Sequence, residues 1–340
     1  MFGIFRTLLA LAVVSDHLGG TAYSGPYAVF GFYALSGYLM TLILHRTYGY
    51  SPAGLGRYAA NRLLRIMPVY LLAALLSLAL VWALGEAWTR AFHENIGSPA
   101  SMEEWLRNLF LVLSISTDTR LVPPAWALTV ELSFYLLIGL GLSRTRLICF
   151  LWLAASVAYT AYLLHGNASF SYRYYTMAAA SLPFSMGASL YHVRQMTRGG
   201  AFERLIERPW IAPGLAVALF ANYAAARAAS ASLAQGGLFY LNLILMVALI
   251  AHLSSRSPTT VDQRIGDLSY PIYLTHFQAG LLVTWAIADV SRGTALFLAA
   301  SLLPVLTLAW LVKVFVEAPI ERLRTQIKPQ AESISVPAGR

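Results

Sequence analysis

Charged residues are scarce in this chain. Asp, Glu, Lys and Arg make up 11% of its 340 residues, whereas hydrophobic residues make up 58%. Soluble domains usually carry roughly 25% charged residues, so most of this chain cannot face water. The scarcity excludes a soluble globular domain and predicts a protein embedded in a bilayer.

Cysteine is almost absent as well. Cys149 is the single cysteine and lies in an apolar run, which excludes a disulfide framework and a metal cluster held by thiolates. We therefore expect no metal site. Hydrophilic stretches long enough for a second folded domain are also missing. We predict one membrane domain over residues 1–325, followed by a disordered cytosolic tail over residues 326–340.

Apolar runs of about 20 residues, the length that crosses a bilayer, recur along the chain. We predict an all-α, polytopic bundle of about ten transmembrane helices. The predicted spans are 3–22, 28–46, 61–85, 126–142, 145–165, 172–193, 211–227, 236–254, 268–289 and 294–316. The run over residues 102–116 begins with Glu103 and Glu104 and is too short to span, so we expect it to be interfacial or re-entrant.

Basic residues lie mostly between the apolar runs. A net charge of +9 would suggest nucleic acid in a soluble domain, but membrane topology explains these residues better, so we expect no nucleic-acid partner. With the N-terminus in the cytosol, most of the 24 basic residues fall in cytosolic loops, which predicts two cytosolic termini. The alternative of a cleaved signal peptide over residues 1–22 is disfavoured by Asp16 and His17.

Ionisable side chains inside the first span are candidates for function, because their burial in lipid costs several kcal/mol. Arg6 and His17 lie within about 20° of one helix face and roughly 16 Å apart in depth. This geometry suits an elongated anionic donor, with its phosphates at Arg6 and its reactive end at His17. Alternatively, Arg6 sets topology and His17 is a packed histidine. Asp16 points about 100° away from His17, so it is unsuited to orient the ring.

A second group of candidates lies in the next two spans. Arg62 and Arg65 share one helix face and either clamp phosphates or set topology and snorkel to lipid headgroups. Tyr70 follows just inside the bilayer. Ser36 belongs to a small-residue patch that lets helices approach closely or lets a substrate arm pass the backbone.

Two later segments carry further polar groups. Residues 123–131 open a span with prolines and place Trp126 at its start and Glu131 in the membrane, with Tyr135 one turn later. A buried Glu131 needs either a partner or a raised pKa. Residues 265–276 start another span with two tyrosines and a histidine, which helix capping and interfacial aromatics partly explain. These three residues are Tyr270, Tyr273 and His276.

Together, in this order, these segments resemble acyltransferase family 3, the membrane O-acyltransferases that modify bacterial surface glycans and other acceptors. The resemblance covers nearly the whole chain. It rests on Arg6 with ten residues before His17, and on segments 32–39, 62–70, 125–131, 266–276 and 317–319. Many relatives have a second acidic residue after the glutamate, whereas Leu132 and Ser133 follow Glu131 here, which puts a carboxylate pair at this place in doubt.

The resemblance implies ten membrane helices in a bacterial inner membrane, an acyl-coenzyme A donor that is often acetyl-coenzyme A, and a hydroxyl acceptor on a surface or lipid-linked carbohydrate. It also implies that His17 is catalytic and that Arg6 and the arginine pair lie on the donor side. The other partners that we expect are membrane lipids.

Our hypothesis is direct transfer, with His17 as general base and Glu131 either orienting it or accepting its proton. The alternative for Glu131 is a purely structural bond to Tyr135 or backbone. A covalent acyl-histidine is the alternative within this class. Two alternatives outside the acyltransferase class are a transporter with a proton relay and a non-catalytic subunit. The predicted catalytic residues are His17, Glu131 and Asp16. The predicted donor residues are Arg6, Arg62, Arg65, Ser36 and Tyr70. The predicted substrate residues are Trp126, Tyr135, Tyr270, Tyr273 and His276.

Overall fold

The computed structural model describes residues 2–113, 119–287 and 290–327. Within these ranges the regular secondary structure is helical, without a strand, which confirms the all-α prediction. Residues 328–340, most of the predicted tail, lie outside the described residues.

The described residues form 17 α-helices. They are α1 (Gly3–Gly19), α2 (Ser24–Ile43), α3 (Pro52–Leu84), α4 (Glu86–Phe92), α5 (Met102–Phe110), α6 (Trp126–Leu137), α7 (Arg146–His165), α8 (Phe170–Tyr175), α9 (Met177–Met196), α10 (Ala201–Ile206), α11 (Ile211–Ala228), α12 (Ala231–Ala234), α13 (Gly237–Leu253), α14 (Thr260–Gly266), α15 (Ser269–Ala286), α16 (Ala295–Val312) and α17 (Ala318–Ile327). A π-helical turn follows each of α2, α6 and α16, and a 3-10 turn, Pro123–Ala125, precedes α6.

Seven helical stretches in the described residues are long and apolar enough to cross a membrane, so the protein is polytopic. They contain α2, α3, α6, α7, α11, α13 and α16. The other three predicted spans correspond to α1, α9 and α15, which do not meet this criterion. The count of ten crossings and the cytosolic location of both termini therefore stay predictions.

The helices differ from three predicted boundaries. α3 has 33 residues and begins at Pro52 rather than at residue 61, because Ser51 caps it by accepting from the Gly54 N–H at 3.1 Å. Residues 172–193 are not one helix: Thr176 ends α8 and its hydroxyl caps α9. α17 ends at Ile327, two residues beyond the predicted end of the membrane domain, and the division into domain and tail stays a prediction.

The segment over residues 102–116 contains one short helix. α5 has nine residues, which at about 1.5 Å per residue is too short to cross a bilayer. Trp105, Leu109 and Phe110 are exposed on it. Its interfacial location stays a prediction, and residues 114–116 lie outside the described residues.

Helix α2 lies at the centre of the bundle, where it contacts α1 and α9. A Cβ at Gly37 would lie 2.1 Å from the Phe184 oxygen, and one at Gly187 would lie 1.8 Å from the Ala34 oxygen. Both positions therefore require glycine for the two backbones to meet. The small-residue patch thus serves close helix approach at Gly37, as one of its two predicted roles required.

The start of α1 is held by α14. Asp262 accepts hydrogen bonds from the backbone N–H groups of Gly3 and Ile4, at 3.1 and 3.0 Å. A Cβ added at Gly266 would lie 2.3 Å from the Gly3 Cα, so these helices touch through their backbones. This contact sets the position of Arg6, one turn farther along α1.

Candidate active site

A cavity of about 130 Å³ opens between α1, α2, α3, α6 and α15. We call it the arginine cavity. The predicted site residues in its lining are Arg6, Ser36, Arg62, Arg65, Glu131, Tyr135, Tyr270 and Tyr273. The three arginines thus converge on one space, although they come from two helices that are far apart in the sequence.

The three arginines differ in how they are paired. Arg65 forms an ion pair with Glu317 at 3.1 Å and lies over the Tyr270 ring, 5.5 Å from its centroid. The Nε atoms of Arg6 and Arg62 are buried and have no hydrogen-bond partner among the described residues. Buried polar groups are normally satisfied, so these two side chains have unused capacity to bind an anion.

Glu131 faces the arginine cavity and is held by two hydroxyl groups. It accepts a hydrogen bond from Ser36 at 2.5 Å and another from Tyr135, one turn away on the same helix. Of the roles predicted for Glu131, the bond to Tyr135 is therefore the one that the structure shows. The His17 ring has a different partner.

A second cavity, of about 60 Å³, lies next to the first. We call it the histidine cavity. Its lining includes Asp16, His17, Trp126, Tyr174, Tyr175 and Tyr273. Tyr273 and Val29 line both cavities, and the Tyr273 hydroxyl donates to the Pro124 oxygen at 2.9 Å. The two spaces are therefore neighbours with a thin boundary.

His17 pairs with a histidine from α15. Its Nδ1 lies 2.9 Å from His276 Nε2, and the two rings meet edge to edge, with centroids 5.2 Å apart and planes inclined by only 16°. His276 is fully buried and lines neither cavity, so the structure does not bring this predicted substrate residue to a place where substrate can touch it. Arg292 donates to the His17 backbone oxygen at 2.8 Å.

Aromatic rings form one wall of the histidine cavity. Trp126 makes edge contacts with Tyr174 and Tyr175, at centroid distances of 5.4 and 4.9 Å. Asp16 lines the same cavity beside Gly25, where a Cβ would come within 2.4 Å of its carboxylate. Glycine at position 25 thus leaves room for this carboxylate.

His93 lies close to this group, at the end of α4. Its ring packs against Phe277, whose ring is also 5.1 Å from that of His17. Burial, together with Arg292 and Arg120, lowers the pKa of His93 to about 4. His93 is therefore neutral at physiological pH and adds no charge beside His17.

The structure places one predicted donor residue, Tyr70, away from both cavities. Tyr70 is fully buried and donates to the Asn108 oxygen at 2.6 Å, and it lines neither cavity. The reason is geometric: five residues along a helix correspond to about 140° of rotation, which turns Tyr70 away from the face of Arg65.

Sequence reasoning missed several residues around the two cavities. Tyr174, Tyr175, His93 and Arg292 belong to no segment that carried the resemblance, and no spacing pointed to them. The pairing of Glu317 with Arg65 could have been suspected, because Glu317 lies in the segment 317–319 that supports the resemblance.

The comparisons with known proteins agree with this geometry. The family profile described as an acyltransferase domain matches residues 2–314, a range that contains the linings of both cavities. No curated protein and no solved structure matches the chain. The match extends over nearly the whole sequence, and the chain therefore belongs to acyltransferase family 3.

Proposed function

We propose that this membrane acyltransferase moves an acyl group, such as acetyl, from acyl-coenzyme A to a hydroxyl group of a carbohydrate acceptor in a bacterial inner membrane. One observation carries the proposal: a cavity with incompletely paired arginines adjoins a cavity that contains His17. The first suits a polyanionic donor and the second suits proton transfer from an acceptor.

The donor fits the arginine cavity by charge and by length. Coenzyme A carries several phosphate charges, and guanidinium groups bind phosphates through paired hydrogen bonds. The buried Nε atoms of Arg6 and Arg62 have no hydrogen-bond partner among the described residues, so a phosphate can accept from them. The roughly 16 Å of helix between Arg6 and His17 is a span that the extended pantetheine arm can cover, with the thioester near Tyr273.

The acceptor fits the histidine cavity by its lining. Flat aromatic rings such as Trp126 and Tyr175 can pack against the apolar face of a sugar ring. The Asp16 carboxylate can accept hydrogen bonds from sugar hydroxyl groups. This combination supports a carbohydrate acceptor rather than a purely apolar one.

In the proposed reaction, His17 takes the proton of the acceptor hydroxyl as this oxygen attacks the thioester carbonyl. The ester C–O bond forms, the C–S bond breaks, and the leaving thiolate of coenzyme A takes the proton from His17. An acyl-histidine intermediate is the alternative order of the same bond changes. Glu131 acts on the donor side, since its partners are Ser36 and Tyr135.

The test is acyl transfer by the full chain in proteoliposomes. Acetyl-coenzyme A with a labelled acetyl group is supplied with glycolipids and polysaccharides of the bacterial envelope, and vesicles without protein serve as control. We expect the label on a glycan in an alkali-labile ester, with release of free coenzyme A. A stable amide product, or no use of the donor with any hydroxyl acceptor, would overturn the proposal. If the protein were instead a transporter or a non-catalytic subunit, it would not consume acetyl-coenzyme A.

A further inference from the structure

The two histidines that meet between α1 and α15 define which ring nitrogens carry hydrogen. His276 Nδ1 lies 2.8 Å from the backbone oxygen of Tyr273 and 3.3 Å from that of Ile272. A carbonyl oxygen can only accept a hydrogen bond. Nδ1 of His276 must therefore carry the hydrogen.

The other nitrogen of His276 is then a bare acceptor, provided that the ring is neutral. His276 is fully buried, and neither it nor the neighbouring Arg292 forms an ion pair with a carboxylate in the part of the chain that the structure describes. A second positive charge in such a place is strongly disfavoured. His276 Nε2 thus offers a lone pair to His17.

The direction of the bond between the two rings follows. His17 Nδ1 and His276 Nε2 are 2.9 Å apart, which requires one donor and one acceptor. Because His276 Nε2 accepts, His17 Nδ1 donates. Neutral His17 then has its free lone pair on Nε2, the nitrogen that a general base needs.

We propose that His276 is a positioning residue that holds His17 as the Nδ1–H tautomer and directs its basic Nε2 away from α15, towards the acceptor. This inference rests on the proposed function of His17 as base. A neutral imidazole does here what a carboxylate does in many hydrolytic sites: it selects the tautomer and fixes the ring plane.

The neutral partner also defines the path of the proton. The acceptor hydroxyl gives its proton to His17 Nε2, and the bond from His17 Nδ1 to His276 keeps its direction throughout. The proton then leaves from the same Nε2 to the thiolate of coenzyme A. No relay through His276 is needed, and its Nδ1–H continues to donate to the Tyr273 backbone oxygen.

Two substitutions separate positioning from packing. His276→Leu removes the acceptor, so we expect kcat to fall by about 10²-fold or more while KM for acetyl-coenzyme A stays within about twofold. His276→Gln keeps an oxygen that accepts from His17 and an amide that donates to Tyr273, so it should recover about tenfold of this loss. Equal kcat values for the Leu and Gln variants would overturn the proposal.

A control histidine lies elsewhere in the bundle. His252 on α13 is buried and its Nδ1 is 2.6 Å from the Ile206 backbone oxygen. His252→Leu therefore removes a buried, carbonyl-bound histidine that lines neither cavity. We expect its kcat to remain within about twofold of wild type. A loss equal to that of His276→Leu would mean that any buried histidine matters as much, and would overturn the positioning role.

The tautomer can be measured without activity. The full chain, with its seven histidines labelled with ¹⁵N, is studied by solid-state NMR in proteoliposomes, and the His17 signals are assigned by their loss in His17→Ala. We expect Nδ1 protonated and Nε2 bare at neutral pH. A protonated Nε2 in the wild type would refute this proposal even if acyl transfer is observed. The expected tautomer without any acyl transfer would instead refute the proposed function alone.

Discussion

The arginine cavity and the histidine cavity share Tyr273 and Val29, but their polar groups are satisfied differently. In the first, Arg6 and Arg62 keep buried Nε atoms without partners among the described residues. In the second, the His17 ring already forms a hydrogen bond with His276. Unpaired N–H groups of arginine suit the binding of an anionic ligand, whereas a neutral imidazole in a fixed orientation suits proton transfer.

In the proposed mechanism, donor binding in the arginine cavity is separated in space from the chemistry at His17. Substitutions in the arginine cavity should change the apparent affinity for the donor and spare turnover. Substitutions in the histidine cavity should lower turnover or acceptor affinity and spare donor binding. A substitution in the arginine cavity that lowers turnover, or one in the histidine cavity that weakens donor binding, would contradict this separation.

The largest effect is expected at His17. His17→Ala removes the base, so kcat should fall by about 10²-fold or more, whereas binding of acetyl-coenzyme A in the arginine cavity should persist. Turnover in proteoliposomes and donor binding by calorimetry measure the two quantities separately. Turnover at the wild-type rate would remove the mechanism, and a parallel loss of donor binding would contradict the division.

The next effect concerns the arginines. Lysine keeps the charge but loses the planar fork, so Arg62→Lys should raise KM for acetyl-coenzyme A by about tenfold, or about 1.4 kcal/mol, with little change in kcat. Arg6→Lys should do the same. Arg65→Lys should have a smaller effect on KM, because Arg65 already pairs with Glu317.

The control for the arginine series is Arg57, which is exposed on α3 and lines neither cavity. Arg57→Lys should leave donor dependence unchanged. If Arg6, Arg62 and Arg65 also tolerate lysine with an unchanged KM, they serve topology alone, and the donor site must be sought elsewhere.

The first helix shows how far sequence reasoning reaches. Arg6 and His17 lie on one helix, so regular helix geometry predicted one face and the depth between them, and each now lines a cavity. The resemblance implied that Arg6 and the arginine pair lie on the donor side, and all three line one cavity. Local spacing and the resemblance sufficed for these features.

The partners across helices were beyond such reasoning. His17 and His276 are 259 positions apart in the chain, and their contact depends on how α1 packs against α15. Glu131 was considered as a partner of His17 because both are polar and buried, yet α6 directs it towards Ser36 on α2. Only the packing of the bundle decides between such alternatives.

A moderate effect is expected on the acceptor side. Trp126→Ala removes an aromatic wall of the histidine cavity, so KM for a carbohydrate acceptor should rise by about fivefold to tenfold. KM for acetyl-coenzyme A should stay unchanged. Initial rates with each substrate varied in turn give both constants, and Phe134→Leu, at a residue of α6 that lines neither cavity, is the control. A rise in KM for acetyl-coenzyme A alone would instead place the donor in the histidine cavity.

The smallest effect concerns Asp262, which contacts the arginine end of α1 and not the histidine end. Burial by itself raises the pKa of Asp262, but hydrogen bonds that include those from the Ile4 and Gly3 backbones reverse this, and its pKa lies below the usual value. A carboxyl group with a lowered pKa in the folded state stabilises the protein above the unfolded pKa of about 3.9 and loses this effect as pH falls through the folded pKa.

Asp262→Asn should therefore lower the free energy of unfolding by about 1 kcal/mol at pH 7, seen as a Tm a few degrees lower in detergent. The gap to wild type should be constant from about pH 8 to 5 and shrink below about pH 4. Asp267→Asn is the control, because Asp267 forms a half-exposed pair with Lys313 at 3.1 Å, and such pairs contribute little. Since Asp262 holds the turn before Arg6, its substitution should also raise KM for acetyl-coenzyme A slightly without changing kcat. A fall in kcat would instead show that movement of the arginine end of α1 reaches His17, and that the two cavities act as one site.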